Sequence, residues 1–305
     1  NVLAGKLYGI PVAGTQAHSW VMSFPDELTA FRAYAEAYPD ACLLLVDTYD
    51  TIRSGVPNAI TVAKELEAKG HKFLGIRIDS GDLAYLSKVA REMLDEAGLE
   101  HAIIVGSGDL DENLIRDLKI QGARIDSWGV GTKLITGDDN PALGGVYKLV
   151  ALEENGKMVP KIKVSDNAEK TTNPGVKDVV RFYSTETGKA LADLIILADE
   201  KVPPHGPLTI FDPIDTWKRK TLRNYDKERL LVPIFRNGEQ VYQCPSVQEI
   251  QNYAAKQLEH FWPEYKRLIN PEKYIVDLSD QLWHLKHDMI RELRASYSEN
   301  NYHEQ

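Results

Sequence analysis

A guanidinium and a carboxylate two residues apart, then a hydroxyl, a glycine and a second carboxylate, make up Arg77-Ile78-Asp79-Ser80-Gly81-Asp82. If the apolar run of Phe73, Leu74, Ile76 and Ile78 is a strand, Arg77 and Asp79 point to the same face. A carboxylate beside a cation stays ionised and can accept both hydroxyls of a ribose. The plain alternative is an ion pair next to a helix that Ser80 caps. Gly106-Ser107-Gly108-Asp109 and Gly129-Val130-Gly131-Thr132 are glycine–hydroxyl turns, whose free N–H groups suit phosphate when they are not merely tight turns. Asp47 and Asp50 bracket Thr48-Tyr49 and could hold a sugar hydroxyl or magnesium, directly or through water. Otherwise Asp47 caps the next turn and Asp50 is solvated. His18, shortly after Gly14-Thr15, is a candidate base or nucleophile.

Positioning these groups requires a repeating scaffold, and the hydrophobic pattern supplies one. Strand-like Ile10–Gly14 precedes a helix near Pro25–Ala37, and Leu43–Val46 precedes one near Asn58–Lys69. Phe73–Ile78 leads into a helix carrying Leu83, Leu86, Val89, Ala90, Met93, Leu94 and Ala97 at helical spacing, with Gly98 as its stop. Ala102–Val105, a helix near Leu110–Ile120, and Arg124–Val130 continue the alternation, which predicts a parallel sheet or barrel. Each strand ends in polar or glycine-rich residues, and in a barrel those ends share one face. Past Thr132 the pattern changes. Gly144–Leu152 and Pro160–Val164 read as strands joined through Asn155-Gly156, then come Phe182-Tyr183 and Leu191–Leu197. Lys161, Lys163, Lys170, Lys177 and Arg181 form a loose basic ladder, and Val202–Pro207 resembles a linker. Asn237-Gly238 signals another hairpin, helices are predicted near Ser246–Phe261 and Asp280–Ser296, and Glu299–Gln305 reads as a frayed polar tail.

With 305 residues, 43% of them hydrophobic, the chain can bury a large core. A net charge of −9 argues against nucleic acid or an anionic membrane as the main partner, so an anionic substrate needs local donors. Cys42 and Cys244, far apart, exclude a disulfide scaffold or zinc knuckle and fit a reducing cytoplasm. No apolar stretch has membrane-spanning length, and Asn1–Trp20 lacks a signal-peptide pattern. Asn1–Ala4 reads as the inside of a helix, as if part of something longer.

Taken together, GTQAHSW (Gly14–Trp20), LLVDTYDT (Leu44–Thr51), GIRIDSGD (Gly75–Asp82), VGSGDLDE (Val105–Glu112) and DSWGVGTKL (Asp126–Leu134), with KVSDNAEKTTNPGVKDVVR (Lys163–Arg181) downstream, resemble the nicotinate phosphoribosyltransferase family. The resemblance implies an irregular TIM-like parallel α/β barrel of the type II phosphoribosyltransferases over residues 1–150. It also implies a strand-rich extension over 151–207 and a mixed C-terminal region over 208–305. The implied reaction joins nicotinate to phosphoribosyl pyrophosphate, giving nicotinate mononucleotide and pyrophosphate, with ATP as co-substrate and magnesium. By resemblance, ATP phosphorylates His18, while Thr15 and Arg77 lie at the nicotinate end. Asp79, next to Ser80, holds the ribose hydroxyls. Gly106, Ser107, Gly108, Gly131 and Thr132 take the 5′-phosphate, and Asp47 sits near the pyrophosphate and its magnesium. Members are longer, with an arginine-rich N-terminal segment at the nicotinate ring, and are dimers that share the site between subunits.

Three alternatives stand beside this reading. One is a nicotinamide-preferring phosphoribosyltransferase, which Arg77–Asp82 with Gly14–His18 fits less well. Another is a non-catalytic barrel that binds phosphorylated nucleotides, against which His18, Arg77 and Asp79 count. The third is a lyase or aldolase barrel, which needs a buried lysine at a strand end, with Lys133 the near candidate.

Overall fold

The computed structural model describes residues 2–165 and 170–300. Asp166-Asn167-Ala168-Glu169 of the downstream motif, Asn1, and the expected frayed tail beyond Asn300 lie outside the described residues. The chain divides into two compact units, residues 1–144 and 145–305.

In the first unit α1 (Val2–Tyr8), α2 (His18–Met22) and α3 (Glu27–Ala37) precede a run of strand–helix units. β1 (Leu43–Leu45), α4 (Val56–Ala68), β2 (Gly75–Ile78), α5 (Leu83–Glu96), β3 (Ile103–Ser107), α6 (Glu112–Ile120), β4 (Ser127–Gly129) and α7 (Thr132–Thr136) follow. The strands pair in sequence order, β1-β2-β3-β4, all parallel. Leu45 sits opposite Arg77, Arg77 opposite Val105, and Ser107 opposite Gly129, so four consecutive carboxyl ends lie side by side. Continuous apolar strands are what a sheet covered by helices requires. Leu44, Ile76, Ile78 and Ile104 are fully buried, against Val62 of α4 and Leu94 of α5.

Among the described residues this parallel sheet has four strands and is open, so the closed barrel expected from the alternation is not observed. The expected first strand, Ile10–Gly14, is not a strand either: the segment is exposed and unpaired with any strand. The free edge of β1 is instead met by one side chain, the buried Gln16. Its amide, turned so that both groups are satisfied, donates from Nε2 to Leu43 O at 3.0 Å and accepts at Oε1 from Leu45 N at 3.0 Å. A second difference lies before α4. The expected helix start at Asn58 is preceded by a π-helical turn over Thr51–Gly55, where a Cβ on Gly55 would fall 1.8 Å from Val46 O. Only glycine allows that approach, which locks the turn onto the end of β1.

The second unit begins with a hairpin, β5 (Ala151–Glu154) and β6 (Lys157–Pro160), turning at Asn155 and Gly156 with φ of +52° and +75°. These are the values of a type I′ turn, as Asn-Gly predicts. β7 (Lys177–Ser184) and β8 (Ala190–Leu197) form the centre of a four-stranded sheet. β9 (Leu208–Phe211) pairs with β10 (Arg219–Leu222) in a separate hairpin, while β11 (Tyr225–Arg229) joins the outer side of β7. β12 (Phe235–Arg236) and β13 (Glu239–Gln240) flank Asn237-Gly238, and α8 (Val247–Glu259) opens on a capping box of Ser246 and Glu249. β14 (Val276–Leu278) lies parallel to β8, and α9 (Asp280–Asn300) closes the described chain. β9, β10, β11 and β14 were not anticipated: β10 and β11 are exposed, charged sequences with little apolar alternation, and β9 and β14 are only four and three residues long. Three residues of the basic ladder have individual partners. Lys161 pairs with Glu154 at 2.6 Å, and Lys177 Nζ donates to Asn173 O and Gly175 O at 2.7 and 2.6 Å. Arg181 grips Asp193 through two bonds of 2.8 Å while lying 5.1 Å from the Phe261 ring centre.

Candidate functional site

The carboxyl ends of β1, β2 and β3 bring one ionic network together. Arg77 leaves β2 and gives Nε to Ser107 Oγ at 2.7 Å, Nη1 to Thr15 Oγ1 at 3.0 Å and Nη2 to Asp79 Oδ1 at 2.6 Å. Ser107 Oγ in turn donates to the same Asp79 oxygen. Burial works against the Asp79 charge, but the hydrogen bonds from Ser107 and Arg77, with the Arg77 charge, hold its carboxyl below the usual carboxylate range. The guanidinium has five N–H groups, and this network engages three, which leaves two on its terminal nitrogens.

Asp47 reaches from the end of β1 across to β2. Its Oδ2 accepts from Asp79 N at 2.9 Å and from Ser80 Oγ at 2.6 Å. Its Oδ1 is buried with no hydrogen-bond partner and lies 3.9 Å from His18 Nε2. Asp79 Oδ2 is 3.8 Å from the same nitrogen. On the other side of the ring, His18 Nδ1 meets Thr48 Oγ1 at 3.1 Å. The imidazole, 39% exposed, therefore stands between two carboxylates and a hydroxyl, with a solvent-facing edge.

Capping duties differ from the expected ones. Asp82, not Ser80, caps α5, accepting from Tyr85 N at 2.9 Å, and this releases Ser80 to hold Asp47. Asp50, not Asp47, caps the turn at Thr51, accepting from Ile52 N and Arg53 N at 3.1 and 2.8 Å. Asp47 is thereby free for the site. Glu27 of α3 braces the same turn from beneath, its Oε2 accepting from Ser54 Oγ at 2.5 Å and Asn58 Nδ2 at 2.9 Å.

Thr15, His18, Asp47, Arg77, Asp79, Ser80 and Ser107 thus form one cluster. Gly108 flanks it at φ +98°, where a Cβ would fall 2.2 Å from Asp79 O. Gly108→Ala is expected to cost about 1–3 kcal/mol through backbone strain and displacement of Asp79. Denaturant unfolding checks this, and an unchanged midpoint would mean that the turn relaxes freely. Gly131 and Thr132 are exposed at the start of α7, adjacent through the β3–β4 pairing but not bonded into the network. Asp50 stands apart. Lys133 lies on α7 paired with Asp138 at 2.5 Å, a hydrogen bond that raises its pKa. A Schiff-base lysine needs the opposite shift, so the lyase alternative loses its residue. Thr48 escaped the sequence reading, which weighed the acids flanking it and not the hydroxyl between them.

Among the described residues, no group of three or more His, Cys, Asp or Glu side chains is arranged to hold a metal ion. Magnesium does not need such a cage. It keeps several waters and binds through one or two carboxylates plus substrate phosphates, and the unpartnered Asp47 Oδ1 is a donor of that kind.

Comparison with known proteins identifies the family. The model of the nicotinate phosphoribosyltransferase family matches residues 1–195, and that of the nicotinate phosphoribosyltransferase C-terminal domain matches residues 176–286. Nicotinate phosphoribosyltransferase of Bacillus subtilis is 52% identical over 299 residues, covering 98% of this chain and 61% of that protein. The crystal structure of human nicotinic acid phosphoribosyltransferase superposes with a TM-score of 0.77 at 32% identity, over 94% of this chain and 64% of that one. Nicotinate-nucleotide pyrophosphorylase from Pyrococcus furiosus shares the fold, with a TM-score of 0.59 at 24% identity over 86% of this chain and 58% of that one. The chain spans about 61% of the length of the Bacillus, Caenorhabditis elegans and human relatives that it matches.

Proposed function

The chain belongs to the nicotinate phosphoribosyltransferase family, and from that premise we propose that it carries the reacting centre of an enzyme joining nicotinate to phosphoribosyl pyrophosphate. The pyridine nitrogen attacks the anomeric carbon, the bond to pyrophosphate breaks, and nicotinate mononucleotide and pyrophosphate leave, with ATP hydrolysis as the driver. The observation carrying this reading is the cluster of Thr15, Arg77, Asp79 and Ser107, with His18 and Asp47 beside it, at adjacent strand ends. Parallel α/β folds place their chemistry at that edge.

Displacement at an anomeric carbon passes through an oxocarbenium-like state, so fixed negative charge near the ribose lowers the barrier. Asp79, kept ionised by its neighbours, supplies that charge and accepts the ribose hydroxyls. The two remaining N–H groups of Arg77 suit the nicotinate carboxylate, with Thr15 holding the guanidinium in place. The turns Gly106-Ser107-Gly108 and Gly131-Thr132 would receive the 5′-phosphate through backbone N–H groups. Asp47 and Asp79 would hold magnesium through water, and the ion would supply charge neutralisation to the departing pyrophosphate. In this reading the four parallel strands are an arc of the irregular type II phosphoribosyltransferase barrel. The working enzyme is a cytoplasmic homodimer with a shared site.

The test supplies the complete polypeptide with phosphoribosyl pyrophosphate, ATP, magnesium and either nicotinate or nicotinamide. Nicotinate mononucleotide is expected, with pyrophosphate in equal amount and ATP consumption coupled to it. Faster turnover of nicotinamide would transfer the reading to the nicotinamide branch. Binding without product would leave the non-catalytic alternative.

A further inference from the structure

A parallel sheet's edge strand normally exposes every second N–H and C=O to water or to another strand. β1 uses its other edge on β2, where Val46 N donates to Arg77 O at 3.0 Å and Leu74 N to Cys42 O at 3.1 Å. Leu43 O and Leu45 N point the opposite way and are buried with their residues. The Gln16 carboxamide meets both at 3.0 Å, so it occupies the place that one peptide group of a neighbouring strand would fill. Gln16 itself is only 7% exposed.

What makes this more than edge protection is the company of Gln16 in the chain. Thr15, immediately before it, receives Arg77 Nη1, and His18, two residues after it, faces Thr48, Asp47 and Asp79. Residues 10–17 form no helix or strand, and α2 spans only His18–Met22. The segment therefore has no backbone ladder of its own to fix its register against the sheet. Among the described bonds of residues 10–17, the Gln16 fork is the pair that ties this segment to β1, a strand that leads through Val46 to Asp47 and Thr48.

We infer that Gln16 is a positioning residue: its amide, bonded to β1 as a substitute strand, sets the register of Thr15 and His18 against Asp47, Thr48 and Arg77. The inference rests on the proposed reaction for its kinetic arm only. A one-bond tether would let the segment swing, whereas the donor–acceptor fork fixes both distance and orientation. Catalytic geometry tolerates little displacement, so losing the fork should reach the chemistry without altering any group that touches substrate.

Two variants of the complete polypeptide test this. Gln16→Met keeps the volume and removes both bonds. Gln16→Glu keeps the acceptor for Leu45 N and loses the donor to Leu43 O. In Gln16→Met the Leu45 amide is expected to exchange with solvent about tenfold faster or more. His18 should become several-fold more reactive toward diethyl pyrocarbonate, and kcat should fall by about tenfold or more with KM for phosphoribosyl pyrophosphate little changed. Gln16→Glu should fall between Gln16→Met and the unmutated protein. A lower melting temperature with unchanged kcat and unchanged His18 reactivity would overturn the inference and leave Gln16 a structural residue. If the unmutated protein makes no mononucleotide, the parent reading fails, and the exchange and acylation measurements still decide the role of Gln16.

Discussion

Asp79→Asn in the complete polypeptide is expected to lower kcat by about two to three decades, with little loss of melting temperature. The magnitude follows from removing a fixed charge that acts mainly in the transition state, worth about 2.7–4 kcal/mol in comparable sites. Asparagine retains the shape and an oxygen for Arg77 and Ser107, so the packing survives while the charge does not. The competing explanation, that Arg77 and Asp79 are a structural pair, makes the opposite forecast. Their side chains are 27% and 28% exposed, and ion pairs with that access to water contribute about 0–1 kcal/mol to stability. A contribution that small cannot produce a large kinetic loss through unfolding. Near-normal turnover in a destabilised Asp79→Asn protein would therefore falsify the catalytic role. Arg77→Lys should raise KM for nicotinate, because an ammonium cannot serve Thr15, Ser107 and Asp79 together and still present a fork.

Acid behaviour offers an independent check on the same carboxylate. Its folded pKa lies below the ordinary value, so its stabilising contribution is fully present above that ordinary value and is lost as pH falls through the depressed one. The stability difference between the unmutated protein and Asp79→Asn should accordingly shrink on acidification through that window. A difference constant with pH would mean that Asp79 is not held charged by its neighbours.

The strand–helix alternation was legible because buried parallel strands are nearly all apolar and their helices carry one apolar stripe. Leu43–Leu45, Gly75–Ile78 and Leu83–Glu96 fall where the pattern put them. The pairing of Arg77 with Asp79 was also readable, since side chains two apart on a strand share a face. Closure into a barrel was not readable: alternation implies parallel neighbours but not how many there are or whether the ends meet. Capping was misassigned for a related reason. Ser80 and Asp82 are both good caps, as are Asp47 and Asp50, and the choice depends on what lies across the sheet. Asp47 and Ser80 find each other over 33 positions of sequence, which leaves Asp50 and Asp82 to the helices. Gln16 was invisible for the same cause, since its partners are backbone atoms of a distant strand whose identity no side chain records.

His18→Ala is expected to abolish ATP-dependent labelling altogether. Incubating the complete polypeptide with γ-labelled ATP should leave acid-labile phosphate on His18, and alanine should remove it while slow formation of mononucleotide persists. The geometry supports the assignment through the two ring nitrogens, which have different tasks. Nδ1 is occupied by Thr48 Oγ1 at 3.1 Å, which fixes the ring plane, and Nε2 faces Asp47 and Asp79 at 3.9 and 3.8 Å. With Nδ1 held by Thr48, Nε2, which makes no hydrogen bond to either acid at these distances, is the nitrogen left to receive the phosphoryl group. Phosphate on the ring adds about −1.5 to −2 units of charge beside the same acids, by analogy with other phosphorylated side chains, so the modified state must attract compensating cations. Phosphorylation should therefore tighten the hold on magnesium-bound pyrophosphate, and ATP hydrolysis should become uncoupled from synthesis when His18 is lost. Thr48→Val is the companion measurement. It preserves the branched shape but removes the hydroxyl, so it should slow labelling of His18 without preventing it. Label that survives in His18→Ala would place the phosphorylated residue elsewhere.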